Sequence, residues 1–151
     1  MTTLYAPVIS VHEAQAATRR LQRAGKTIHQ AHGKPASRLA SVLTESEYLK
    51  IKTQLGDQLD TMKPVEQALG RALAELEKRP RVLLELAFEP THTFIDELKA
   101  WLTKHGPTPC LLEWQMNPEV VGGVIVGWHG KRFDYSIAAK LNTYDEFPEV
   151  S

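Results

Sequence analysis

Residues 81–116, RVLLELAFEPTHTFIDELKAWLTKHGPTPCLLEWQM, carry the alternation that decides the fold. The opening RVLLELAF is rich in branched and aromatic residues and too short for an independent helix. It reads as a strand, with Val82, Leu84, Leu86 and Phe88 on one face. After Pro90, the residues Phe94, Ile95, Leu98, Trp101 and Leu102 recur at the spacing of one helix face, and His105 and Gly106 supply a usual stop. CLLEWQM then alternates. Cys110, Leu112, Trp114 and Met116 oppose Leu111, Glu113 and Gln115, as a half-buried strand requires.

The chain beyond this stretch is punctuated by turn chemistry. Asn117 and Pro118 reverse it, because proline fixes its own backbone angle and restricts the residue before it. Gly122 and Gly123 precede the apolar run VIVGW and admit a bulge or a close approach of backbone. A phosphate-binding loop is the sharper reading, but no lysine or serine follows at the spacing it needs. His129 and Gly130, between Trp128 and Lys131, read as a two-residue hairpin loop. Asp134 or Ser136 then caps a short helix carrying Ile137 and Leu141. The same acid and serine, with His129, hint at hydrolysis; without a suitably placed histidine and an oxyanion site, capping is the simpler use.

The first half reads as helices. Ser10 and Glu13 stand at capping-box spacing, so a helix is expected from about Val11, and Ala14, Ala17, Leu21, Ala24 and Ile28 form one narrow apolar seam along it. Two uses fit so small a seam: packing on neighbouring helices, or a ridge or groove for a partner helix. The docking use carries its own expectation, that glutamate at Ala17 and Ala24 weakens assembly and leaves the isolated fold largely intact. His29, His32, Gly33 and Pro35 interrupt the pattern, giving an expected loop from about Gln30 to Leu43. Thr44 and Glu47 form a second capping box, with Tyr48, Ile51, Leu55, Leu59 and Met62 continuing as a helical stripe. Pro64 suits the first turn of a third helix, with Val65, Leu69, Ala72, Leu73 and Leu76 inward, and Pro80 stops it.

Composition narrows the function. Eighteen basic residues balance eighteen acidic ones, which removes the single-sign field of a nucleic-acid or membrane-surface binder. Apolar residues make up 42% and charged residues 24%, the usage of a globular chain. Cys110 is the lone cysteine, expected to be a small buried hydrophobe in a reducing cytoplasm. His12, His29 and His32 lack the carboxylate or thiolate that would complete a metal site. No leader and no membrane span is read from the sequence, so a cytoplasmic chain is expected, with no cofactor or metal, reaching a membrane only through partners. The fold expected is α+β: a reduced helical domain over residues 1–79, a mixed-sheet domain of strand, helix, strand, strand hairpin and helix over 80–145, and a tail over 146–151.

The stretch NPEVVGGVIVGWHGKRFDYSIAAKL, residues 117–141, with the strand and helix of 81–105 before it, resembles the delta subunit of F-type ATP synthases, called OSCP in mitochondria. Pro118, Gly122, Gly123, Gly130, Asp134, Ser136 and Leu141 fall where the family pattern puts them. Asn117 stands where aspartate is usual, and Tyr135 where glycine is usual. Family members usually begin with a bundle of about six helices that holds the N-terminal segments of the α subunits, whereas the first 80 or so residues here offer three. The resemblance implies a non-catalytic connector of the peripheral stalk, joining the α/β head to b-type stalk helices and resisting rotation during proton-driven ATP synthesis. It implies a cytoplasmic position at the plasma (inner) membrane through the complex. On that basis the seam contacts α-subunit segments, and apolar surface in the second half receives stalk helices. The alternative is a free-standing interaction or regulatory module with the same small fold.

Overall fold

A computed structural model describes residues 3–30, 33–117, 124–128 and 131–135. The chain is α+β and forms two compact units, one made of Met1–Ala6 with His12–Lys78 and the other of Pro7–Val11 with Arg79–Ser151.

The first unit is helical. Helix α1 spans Val11–Thr27, and its seam turns inward: Ala14, Ala17, Leu21 and Ala24, followed by Ile28, are at most 5% exposed. Helix α2 spans Pro35–Val42, where the sequence suggested a loop. Pro35 starts the helix instead of breaking it, since an amide missing from a first turn costs no hydrogen bond. Leu39, fully buried, anchors its inner face. Helix α3, Glu45–Leu55, opens on the expected capping box: the Glu47 amide donates to Thr44 Oγ1 at 3.2 Å and the Thr44 amide to Glu47 Oε1 at 3.0 Å.

The stripe read through Met62 is broken after Leu55. Gly56 takes φ +54°, a conformation that suits glycine and ends the helix, and a 3-10 turn over Gly56–Asp60 follows. Leu59 is still buried, but Met62 is 36% exposed. Helix α4 spans Met62–Lys78 with Pro64 in its first turn; Val65, Ala68, Leu69, Ala72 and Leu76 are buried, while Leu73 is half-buried.

The second unit is built on a five-stranded sheet of order β1-β3-β2-β4-β5, from β1 (Val8–Ser10), β2 (Arg81–Leu86), β3 (Cys110–Met116), β4 (Val124–Trp128) and β5 (Lys131–Tyr135). Strand β2 runs parallel to β3, with Leu84 opposite Trp114, and the crossover between them is helix α5, His92–His105. Thr91 Oγ1 caps α5 by accepting the Phe94 amide at 3.1 Å. At its far end the Gly106 amide donates to the Leu102 carbonyl at 2.7 Å, and a Cβ at Gly106 would meet that carbonyl at 2.9 Å, which is why glycine stands there.

Alternation in β2 sends Val82, Leu84 and Leu86 to the face that α5 covers with Ile95, Leu98 and Leu102; Cys110, Leu112 and Val126 complete this core. Strand β4 is antiparallel to β2 and to β5. Trp128 is paired with Lys131, leaving the two-residue connection expected of the hairpin.

One strand was not read from the sequence. Residues 7–11, assigned by sequence to the helical domain, belong to the sheet unit, where Val8, Ile9 and Ser10 pair in parallel with Cys110, Leu111 and Leu112. All three are buried, at 3–5% exposed.

Candidate functional site

Helices α1 and α4 border a groove of about 510 Å³ in the helical unit. Leu21 and Leu69, both buried, line it deeply, and half-buried Leu73 adds apolar surface. Gln22, Lys26, His29 and Glu66 are exposed around it, and His29 Nε2 lies 2.8 Å from Glu66 Oε1.

Two glycines, Gly25 on α1 and Gly70 on α4, also line the groove. Neither has a positive φ, and a Cβ built on either meets nothing within 4 Å. Among the described residues, neither backbone conformation nor packing therefore calls for glycine, although a glycine inside a helix costs about 1 kcal/mol relative to alanine. What glycine does provide is a low wall, over which another backbone can come close. An apolar trough with low walls and a charged rim suits a helix laid into it.

Beside the groove, the helical unit is tied by one buried carboxylate. Glu47 is 2% exposed. Its Oε1 accepts from Arg20 Nε at 2.8 Å and its Oε2 from Tyr5 Oη at 2.6 Å, which links α1, α3 and the N-terminal segment. Burial alone would raise its pKa, but the hydrogen bonds from Arg20, Tyr5 and the Thr44 amide outweigh burial and hold it below the ordinary value. Burial and the neighbouring carboxylate push the Tyr5 phenol upward. A carboxylate so fully engaged is a structural tie, with no lone pair left for proton transfer to a substrate.

A model of the ATP synthase delta (OSCP) subunit family matches residues 38–146, more than half of the chain. The chain belongs to the ATP synthase delta (OSCP) subunit family. A comparison with curated proteins gave no match. Members of this family are structural stalk subunits of ATP synthase and not its catalysts. Helix α4 lies inside the matched span, and α1 and β1 lie before it.

Of the family positions read from the sequence, Asn117 is described: its amide donates to the Leu86 carbonyl at 2.7 Å and its Nδ2 to Glu85 Oε1 at 3.5 Å, so it extends the pairing of β3 with β2. Asp134 lies in β5 opposite Ile125 and so serves as a strand residue at that point. Pro118, Gly122, Gly123, Gly130, Ser136 and Leu141 lie outside the described residues, as do His32 and His129. Among the described residues, no three His, Cys, Asp or Glu side chains are grouped to hold a metal, and no helix is long and apolar enough to cross a membrane.

Of the five seam residues, Leu21 is the one that reaches the groove; Ala14, Ala17, Ala24 and Ile28 are used up in packing. The expectation that charge at Ala17 or Ala24 spares the fold is therefore corrected, since both are 0–1% exposed. Gly25 and Gly70 were missed. The signal lay in the sequence, as a glycine within each amphipathic helix where no cap is needed.

Proposed function

We propose that this chain is the connector at the top of an ATP synthase peripheral stalk. In this reading the groove between α1 and α4 receives an N-terminal helix of an α subunit, and the sheet unit receives b-type stalk helices. The pair of glycines whose Cβ positions meet nothing within 4 Å among the described residues, Gly25 and Gly70, carries the first half of the reading. Membership of the family supports the stalk setting.

The mechanism is mechanical. A head that is free to turn with the central shaft performs no net work on its catalytic sites. A connector that binds the head on one side and the stalk on the other holds the head still, so that shaft rotation becomes conformational change in the α/β ring. No bond is made or broken by the connector, and its work is done by interface strength. It reaches the membrane through the stalk.

Affinity purification of the tagged protein from its own cells in mild detergent, with co-purifying chains identified by mass spectrometry, tests the proposal. Recovery of α, β and b-type subunits is the expected outcome. A folded, abundant protein recovered without them would favour a free-standing interaction module.

A further inference from the structure

We infer that the N-terminal segment Thr3–Ser10 is a strap that makes the two units unfold as one. The chain passes between the units three times, after Ala6, after Val11 and after Lys78. Before the first crossing the strap is pinned to the helical unit at three points. Tyr5 Oη donates to Glu47 Oε2 at 2.6 Å, Thr3 Oγ1 to Glu75 Oε1 at 2.6 Å, and Lys50 Nζ to the Leu4 carbonyl at 2.9 Å. After it, Val8–Ser10 enters the sheet beside Cys110–Leu112, and the Cys110 amide donates to the Pro7 carbonyl at 2.9 Å. From Val11 the chain continues directly into α1, whose Ala14, Ala17, Leu21 and Ala24 are buried in the helical unit.

Strand β1 is thus held at both ends by the helical unit while it pairs within the sheet unit. Strand β1 contributes three residues of ladder, the short end of the usual range. With both flanks fixed, the helical unit takes up most of the chain between β1 and the sheet, so less loop entropy is lost when the strand pairs. With the flanks released, about 100 residues of chain separate it from its partner, and the cost of closing that loop returns. Melting of the helical unit therefore frees β1, uncovers Val8 and Ile9, and strips β3 of its neighbour on that side. The inference does not depend on what binds the groove.

All three tryptophans, Trp101, Trp114 and Trp128, lie in the sheet unit, so their fluorescence reports that unit, while helical circular dichroism is dominated by α1–α4. Urea unfolding of the full chain is followed by both signals for the natural protein, for Tyr5→Phe at the strap and for Leu39→Ala in the helical core. The two midpoints are expected to coincide in the natural protein and to fall together in each variant. A tryptophan midpoint that stays in place while the helical one falls would overturn the inference. Ten Gly/Ser residues inserted at each flank, between Ala6 and Pro7 and between Val11 and His12, slacken the strap and should pull the two transitions apart; coincident transitions in that variant would equally overturn the inference.

Discussion

Replacing Gly70 by alanine separates the two roles a helical glycine can have. Gly70 lies in the middle of α4, its surroundings leave a Cβ free of contact within 4 Å, and its φ is not positive. Alanine there recovers about 1 kcal/mol of helix propensity with no clash to offset it. For a chain of this size that gain raises the melting temperature by roughly 2–4 °C. Gly25→Ala acts in the same direction but by less, because Gly25 lies in the last turn of α1.

Binding should move the opposite way. A methyl group placed where a partner backbone approaches costs about 1–3 kcal/mol in a well-packed contact, which weakens association roughly 5- to 150-fold. The assay pairs thermal unfolding by circular dichroism with calorimetric titration of an α-subunit N-terminal peptide. The expected result is a more stable protein that binds worse. Equal or tighter binding by Gly70→Ala would refute the groove as the docking place, and a lowered melting temperature would refute the claim that the glycine has no structural purpose.

Glutamate at Ala17 or Ala24 is expected to unfold the helical unit, since an unpaired carboxylate at a site 0–1% exposed costs several kcal/mol; circular dichroism of the purified variants checks this before any assembly assay. The Glu47 tie gives acid sensitivity. Its folded pKa lies below the ordinary 4.5, so its contribution is fully present above that value and is lost as pH falls through the folded value. Glu47→Gln should lower stability by about 3 kcal/mol at pH 7 and flatten the decline below pH 4.5, as read from urea midpoints across pH. Burial pushes the Cys110 thiol from 9.0 to about 11, so at pH 8 a disulfide reagent should label the folded chain roughly a hundredfold more slowly than the urea-unfolded one, from the thiolate fraction alone.

The sheet unit was largely legible because its signals are local. Period-two alternation in β2, the helical period of α5 and the pairing of Trp128 with Lys131 each specify their element without distant help, whereas β3 is a strand whose expected alternation is overridden: Cys110, Leu111 and Leu112 are all buried and Met116 is exposed. The capping box at Thr44 and Glu47 was legible for the same reason, although the further duty of Glu47 was not. Its partners Arg20 and Tyr5 are 27 and 42 residues away in sequence, beyond the reach of any spacing rule.

Helix α2 was misread because Pro35 is ambiguous in isolation: it breaks a helix from within and starts one at the first turn, and burial of Leu39 decides between them. Strand β1 was missed because Val8–Ser10 has no alternation long enough to score, and what makes it a strand is the edge of β3. The seam was correctly located and its use stayed open between packing and docking, since periodicity gives a face but not what covers it. The groove emerged from the two glycines beside that seam, whose meaning requires knowing that their surroundings are empty.

The register of Val8 with Cys110 also sets an order of events on the ribosome. Strand β1 is made about 100 residues ahead of its partner, and at about 5–20 residues per second that partner follows it by roughly 5–20 s. Through that interval Val8 and Ile9 have no edge to join, while α1 to α4 are already complete enough to pack. A strand made this early is therefore seated late, and a nascent chain stopped short of Cys110 is left with an apolar segment that only chaperones or neighbouring chains can cover.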